Sequence, residues 1–288
     1  MMIPDGAPVV VGVNGSSAGL AAVRLGAREA VARGRELRVV HAFTWPGISA
    51  YGPPKGYAAS RRDADRVLRM AISAAKRATP GVQVSGEVVD GPAVRVLIQQ
   101  SRNAELLVLG DDKLASRPRV PIDSVLLQTV SHAWCPVVVS RGLRPPTGPV
   151  MVAVDGSGPS VMALQYAAEE SARRHVAVEV VHVVEEPGAA AEAAGREILD
   201  AAVHAVPGME NARQLILTGD PAQTLVQASR HARMVEVGPR GVDGAQLLGP
   251  VAQELLRRGA SPTVFVHRAT ADDTWSAGTV PEAGALTT

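Results

Sequence analysis

Two tandem α/β domains, each a doubly wound open parallel sheet, are the architecture this sequence predicts. Three observations predict it: the chain repeats itself, each copy alternates short Val-rich runs with longer mixed segments, and a Pro- and Gly-rich stretch separates the copies. The repeat is direct. Val10-Val11-Gly12-Val13-Asn14-Gly15-Ser16 returns as Met151-Val152-Ala153-Val154-Asp155-Gly156-Ser157, and the same offset of 141 carries His41 onto His182. Further on, Gly91-Pro92 matches Asp220-Pro221, and Leu107-Val108-Leu109-Gly110 matches Val235-Glu236-Val237-Gly238. Cys135-Pro136-Val137-Val138-Val139 matches Ser261-Pro262-Thr263-Val264-Phe265 at an offset of 126, so the second copy is the shorter. The linker is Arg141-Gly142-Leu143-Arg144-Pro145-Pro146-Thr147-Gly148-Pro149. The boundaries expected are therefore 1–144, 145–268 and a disordered tail, 269–288, rich in Thr, Ala, Gly and acids.

In chain order, the apolar runs of copy one are 9–13, 37–42, 82–89, 106–109 and 137–139. Those of copy two are 150–154, 176–184, 213–217, 234–237 and 263–266. Continuous Val-rich runs suit strands buried on both faces. Between the first two runs of each copy, 18–33 and 159–174 place Ala, Leu and Val at helical spacing. Arg28, Glu29 and Arg33, or Glu169, Glu170 and Arg173, take the other side. Strand alternating with helix means parallel strands joined by right-handed crossovers. Ligands of such sheets bind beyond the carboxyl ends of the strands, where strand order reverses. The residues to inspect are Asn14 and Asp155 after the first strand, Ala42 and Val183 at the end of the second, and the turns opened by Gly110 and Gly238.

Composition narrows the function. The chain has 288 residues, 46% hydrophobic and 20% charged, enough for a real core. A single Cys135 excludes a disulfide framework, and the seven His show no ligand spacing, so no metal site is expected. No run of 18 or more uncharged apolar residues exists, and Met1 to Gly6 lacks a basic stretch followed by an apolar run. The expected location is the cytoplasm, away from membranes. Residues 1–144 carry 19 Lys and Arg against 11 Asp and Glu, whereas 145–288 carry 10 against 17. Halves that face and attract each other account for this split. Nucleic-acid binding is not expected, because the basic residues are spread and two Phe, three Trp and three Tyr leave little to stack on bases.

A strand ending in Asp-Gly-Ser, a second ending in His-Val-Val, a Gly-Asp-Pro turn, then Val-Gly-x-x-Gly, a loop and a final Cys-Pro-Val strand together resemble the universal stress protein family. The resemblance covers roughly residues 8–140 and 149–267. It implies tandem domains of the adenine nucleotide alpha hydrolase-like, Rossmann-like kind, cytoplasmic, often paired through their last strands. It also implies ATP binding in some members through Gly-x2-Gly-x9-Gly-Ser/Thr. The physics of such a site is simple: phosphate oxygens need converging backbone N–H groups, and glycines permit positive φ and close approach of the chain. The helix that follows adds partial positive charge. The acid after the first strand would hold ribose or a Mg-linked phosphate, and backbone at the second strand would read the adenine edge.

The copies differ. Copy one offers Gly110-Asp111-Asp112-Lys113, nine residues, then Asp123-Ser124, with Asn14 for the acid and Ala42 at the second strand. A carboxylate at Asp123, about 4 Å from a phosphate, would repel it by ~1–4 kcal/mol. This site is degenerate, with Lys113 as a partial substitute. Copy two keeps Ala153, Asp155, Val183, Gly238, Arg240, Gly241 and Gly249, but only seven residues separate Gly241 from Gly249, and Pro250 and Val251 follow. Pro250 lacks the hydroxyl and the N–H that the resemblance calls for. Each lost bond costs roughly 1.5–3 kcal/mol, or about tenfold to more than a hundredfold in affinity. ATP binding is thus expected to be weak and mainly in copy two, with Mg accompanying it.

Remaining features carry a plain and a sharp reading. Gly15-Ser16-Ser17-Ala18-Gly19 fits a helix cap, or a hydrolase nucleophile elbow at Ser17. His41 and His182 fit packed, hydrogen-bonded side chains or pH-sensitive groups. Cys135 fits a small buried residue or a redox sensor. The aromatic-rich segment 44–57 fits an irregular crossover or a cover over the crevice. No general base or complete triad can be assembled, so any ATP hydrolysis is expected to be slow. Two main functions follow: a stress-response regulator binding ATP, with an unknown regulatory protein and a possible homodimer, or a nucleotide-free scaffold whose last strands join the domains as a pseudo-dimer.

Overall fold

The Val-rich runs of both copies become strands of a single sheet. The computed structural model describes residues 6–45, 56–111, 114–142, 147–239 and 248–267. The first half runs β1 (Val9–Gly12), α1 (Ser17–Arg33), β2 (Leu37–Phe43), α2 (Tyr57–Ala78), β3 (Val84–Asp90), α3 (Ala93–Ser101), β4 (Leu106–Gly110), α4 (Val125–His132) and β5 (Val137–Ser140). The second runs β6 (Val150–Ala153), α5 (Gly158–Arg174), β7 (Val178–Val184), α6 (Ala189–His204), β8 (Arg213–Thr218), α7 (Pro221–Ala228), β9 (Met234–Val237), α8 (Pro250–Arg258) and β10 (Thr263–Phe265). Strand order is β3-β2-β1-β4-β5-β10-β9-β6-β7-β8.

Pairing is parallel inside each half. At the centre β5 and β10 pair antiparallel, with Val138 opposite Val264 and Val137 opposite Phe265. These residues are 0–1% exposed, so the seam between the halves is as dry as the middle of either half. Helices cover both faces. One core lies under α1, α2, α5 and α6, and a second under α3, α4, α7 and α8.

The helical pattern places Glu29, Arg33 and Glu170 on a solvent side, and the structure corrects this: all three side chains are at most 3% exposed. The reason is that α1 and α5 pack on each other across the seam. Arg33 Nη2 lies 2.6 Å from Glu170 Oε1 and donates to Tyr166 Oη at 2.8 Å, while its Nη1 pairs with Glu29. Arg174 lies 2.5 Å from Glu29 and 2.7 Å from Glu170. Each half thus gives an acid and a base to a pseudo-symmetric quartet, which Glu105, 3.5 Å from Arg33, and Arg173, paired with Glu170, extend on either side. Each half brings both signs to this buried contact, so it does not rest on the net charges of the halves.

The predicted tail, 269–288, lies outside the described residues. So does most of segment 44–57, whose described aromatics pack together: Phe43, Trp45 and Tyr57 have ring centroids 5.7–6.5 Å apart. Among the described residues no helix is long and apolar enough to cross a membrane.

Candidate functional site

Strand order reverses between β1 and β4 in the first half and between β6 and β9 in the second, so each half has one crevice above those carboxyl ends. The loop leaving the first strand makes the same turn in both. Gly15 and Gly156 take φ of 81° and 82°, and Ser16 and Ser157 cap α1 and α5. Asn14 Oδ1 accepts the Ser16 N–H at 3.1 Å, and Asp155 Oδ1 accepts the Ser157 N–H at 3.0 Å. A turn held by a side-chain oxygen two residues upstream needs only that oxygen, which Asn and Asp supply equally. The change from acid to amide in the first half therefore keeps this turn and removes the charge, while the second half adds the Ser157 hydroxyl donating to Asp155 at 2.5 Å and the Asp155 N–H donating to the Ser160 hydroxyl at 3.3 Å.

Of the two properties expected of the glycines, positive φ and close approach of the chain, Gly110 and Gly238 use the second, since neither has a positive φ. A Cβ at Gly110 would lie 2.6 Å from the Ala18 backbone, and one at Gly238 would lie 2.7–2.9 Å from Pro159. Glycine is required so that the fourth strand can end against the first turn of the first helix of its half, α1 or α5.

The two later helix starts differ. Ser124 caps α4, its Oγ accepting the Leu127 N–H at 3.5 Å, and its own N–H donates to the Pro121 carbonyl at 3.0 Å. Gly249 has no side chain to cap α8, and Pro250 takes the first helical position, where its missing N–H is no loss to the helix. The Gly249 N–H, expected to face phosphate, donates instead to the Pro239 carbonyl at 3.0 Å. Among the described residues, no side chain caps the first turn of α8 with Val251 and Ala252.

In the first half the crevice is a formed cavity of about 150 Å³. It gathers Asn14, Ala42 and Gly110, as the sequence predicts, with His41, Leu97 and Val125. Drug-sized ligands occupy roughly 300–1,000 Å³, so this hollow fits one ring rather than a whole nucleotide. Asp123 and Ser124 are not in its lining, and Asp123 is exposed. Asp111 turns toward the seam, 3.3 Å from Arg141, whose Nη2 also donates to the Leu255 and Leu256 carbonyls at the end of α8. The contribution of α3, through Ala93 and Leu97, escapes the motif reading; the Gly91-Pro92 turn before α3 was its one signal. Lys113, Arg240 and Gly241 lie outside the described residues. In the second half Ala153 ends β6, Val183 pairs with Leu217 near the end of β7, and Asp155 is exposed above them.

The other candidates resolve to plain roles. His41 Nδ1 meets the Val13 carbonyl at 2.8 Å, and His182 Nδ1 meets the Val154 carbonyl at 2.8 Å. Ser17 is the first helical residue of α1, and the capping hydroxyl belongs to Ser16. A nucleophile elbow needs a strained backbone at the serine, and Ser17 has none. Cys135 is fully buried, which pushes its thiol up to about 12. Among the described residues no group of His, Cys, Asp and Glu could hold a metal ion.

The model of the universal stress protein family matches residues 7–141 and again 147–267. A universal stress protein of Mycobacterium tuberculosis is 32% identical over 290 residues, spanning 90% of this chain and 96% of the relative. A second from the same organism is 31% identical over 288 residues, spanning 90% and 97%. Among solved structures, a universal stress protein from Archaeoglobus fulgidus is similar with a TM-score of 0.69 and 17% identity, over 91% of this chain and 97% of that one.

Proposed function

The chain belongs to the universal stress protein family, and from that membership we propose that it is a cytoplasmic stress-response regulator that binds an adenine nucleotide weakly, mainly through its second half, without efficient turnover. The observation that carries this reading is the start of α8, which has no side-chain cap among the described residues and follows β9, the strand paired with β6, beyond whose end Asp155 stands. Helix amides without a capping side chain favour an anion, and the helix dipole adds to the attraction. In this reading the N–H groups at Val251 and beyond take phosphate oxygens, with Gly238 and Gly249 lining their approach. Asp155 takes the ribose or a Mg ion on the phosphates, and backbone at Ala153 and Val183 reads the base. Arg240 and Gly241 belong to the same loop by sequence. Weakness follows from Gly249 and Pro250, which between them offer ATP no N–H. The domain boundaries we propose are 1–144 and 145–268.

Titration calorimetry with ATP and Mg tests the proposal. Weak saturable binding is expected, and Pro250→Ser, which returns a hydroxyl and an N–H, should tighten it about tenfold or more. No heat at millimolar ATP for either protein would overturn it. The engaged Gly249 amide favours a second reading, a nucleotide-free scaffold built on the β5–β10 seam. Mass spectrometry of small molecules released from freshly purified, denatured protein separates the two.

A further inference from the structure

Among the described residues the sheet has two outer edges, β3 and β8, and they are finished differently. An edge strand presents a row of unpaired N–H and C=O groups, which folded chains blunt with charge, glycine or a covering element. β3 is blunted in all these ways. Ser85, Gly86 and Glu87 are exposed along its middle, α2 packs over β3 as fully as over β2, and Arg61 Nη2 donates to the Val88 carbonyl at 3.3 Å. β8, with the sequence Arg213-Gln214-Leu215-Ile216-Leu217-Thr218, is bare. Its three consecutive apolar residues are only half-buried, and α6 packs mainly on β7. Among the described residues no side chain bonds the main chain of β8.

Which groups of β8 face outward follows from the side that is paired. The Gly219 N–H donates to the Val184 carbonyl at 2.9 Å, toward β7. Main-chain groups of successive residues point to opposite sides of a strand, so Leu215 and Leu217 bond inward while Gln214, Ile216 and Thr218 aim theirs outward. Side chains follow a second alternation. Leu215 and Leu217 pack on the core under α3, α4, α7 and α8, and Ile216 on the core under α1, α2, α5 and α6. An antiparallel copy of β8 centred on Ile216 satisfies both alternations at once. Ile216 then lies opposite the partner's Ile216 and Gln214 opposite the partner's Thr218, so every outward N–H of the strand finds a carbonyl. Leu215 lies opposite the partner's Leu217. Moving the centre to Leu215 would instead set Arg213 against the partner's Leu217. The helices leave room for the match: three strand spacings, about 14 Å, would separate β7 from its copy, against the 8–10 Å that two packed helices need.

We propose that β8 pairs antiparallel with β8 of a second copy of this chain, about a two-fold axis at Ile216, joining two sheets edge to edge. The match of β8 to itself in hydrogen bonding and in apolar side chains commits the edge to this occupant. A two-fold contact closes on itself and leaves the blunted β3 at both outer ends, so assembly stops at a dimer. Nucleotide binding has no part in it.

Sedimentation velocity on the full chain, with a cysteine cross-link beside it, tests the pairing. One strand pair is a small interface, so a concentration-dependent equilibrium of monomer and dimer is expected. Thr218→Pro removes an outward N–H and spares the ladder between β7 and β8. Acting in both copies it deletes two hydrogen bonds, which should weaken dimerisation about tenfold or more. Ile216→Cys sets two thiols across the axis with Cα atoms about 5.5 Å apart, within reach of a disulfide. With diamide as oxidant it should give a covalent dimer. Gln214→Cys, roughly 14 Å from its copy, should not, and the buried Cys135 leaves the readout clean. A chain that stays monomeric at its highest soluble concentration would overturn the proposal. So would a folded Thr218→Pro variant that dimerises as tightly as the wild type, or Gln214→Cys linking as readily as Ile216→Cys. The cross-link decides the matter should Thr218→Pro lose its fold.

Discussion

Replacing Glu236 with leucine should stabilise the protein, and the gain should grow with pH. Glu236 is fully buried on β9 between Val152 of β6 and Val264 of β10, and neither carboxyl oxygen has a hydrogen-bond partner among the described residues. Its counterpart in the first half is Val108, also fully buried. Burial and then nearby Glu170 hold the carboxyl well above the usual carboxylate range, against the opposing pull of Arg33. An unfolded chain ionises a glutamate near pH ~4.3. Above that pH the unfolded state gives up a proton that the folded state keeps. Folding then loses about 1.4 kcal/mol per pH unit until the folded group itself ionises. Removing one unsatisfied buried polar group relieves roughly 1–3 kcal/mol before that slope is counted. With a urea slope of about 2 kcal/mol per M, the midpoint should rise by roughly 0.5–1.5 M near pH 5, and by more at pH 7. Urea unfolding followed by far-UV circular dichroism over this range measures both quantities. A leucine variant less stable than the wild type at neutral pH, with the same pH dependence, would mean that Glu236 is ionised and held by Arg33 and Arg174, and would refute the reasoning.

Arg33→Ala should cost about 3–5 kcal/mol, because it leaves the buried Glu29 and Glu170 with Arg174 as their one shared cation, two carboxylates to one; a thermal melt close to that of the wild type would contradict this. Gly110→Ala pushes a methyl into the Ala18 backbone and should cost roughly 1–3 kcal/mol in denaturant unfolding, with Gly238→Ala behaving alike against Pro159. Val138→Lys puts a charge in the dry seam and should cost several kcal/mol. Faster amide exchange in β5 and β10 than elsewhere in the sheet would report it. Cys135, whose thiol is held near 12, should resist iodoacetamide in the native protein at roughly pH 8 and react once the chain is unfolded.

The alternation of strand and helix was legible because apolar runs such as 106–109 and 137–139 are short, Val-rich and bounded by turn residues. The repeat made each element legible twice. The polar faces of α1 and α5 were misread, because a charged face implies water only when no second copy of that face is there to meet it. Glu29 and Glu170 are each matched by an arginine from the other half, contacts between positions 145 and 137 apart that no local pattern encodes. In the site, the reversal point, Asn14, Ala42 and Gly110 followed from topology. The purpose of Gly110 and Gly238 did not, since it depends on how near a helix start lies in space. Nor could a motif count reveal that the Gly249 amide already has a carbonyl to bond.

The central antiparallel seam has an evolutionary consequence. In an assembly of two identical polypeptides, every substitution is imposed on both sides of the axis, and a change harmful in either setting is lost. Here the two sides are encoded separately and held together covalently, so each can drift while its twin keeps the original duty. Val108 across from Glu236, and Asn14 across from Asp155, are the marks of that freedom.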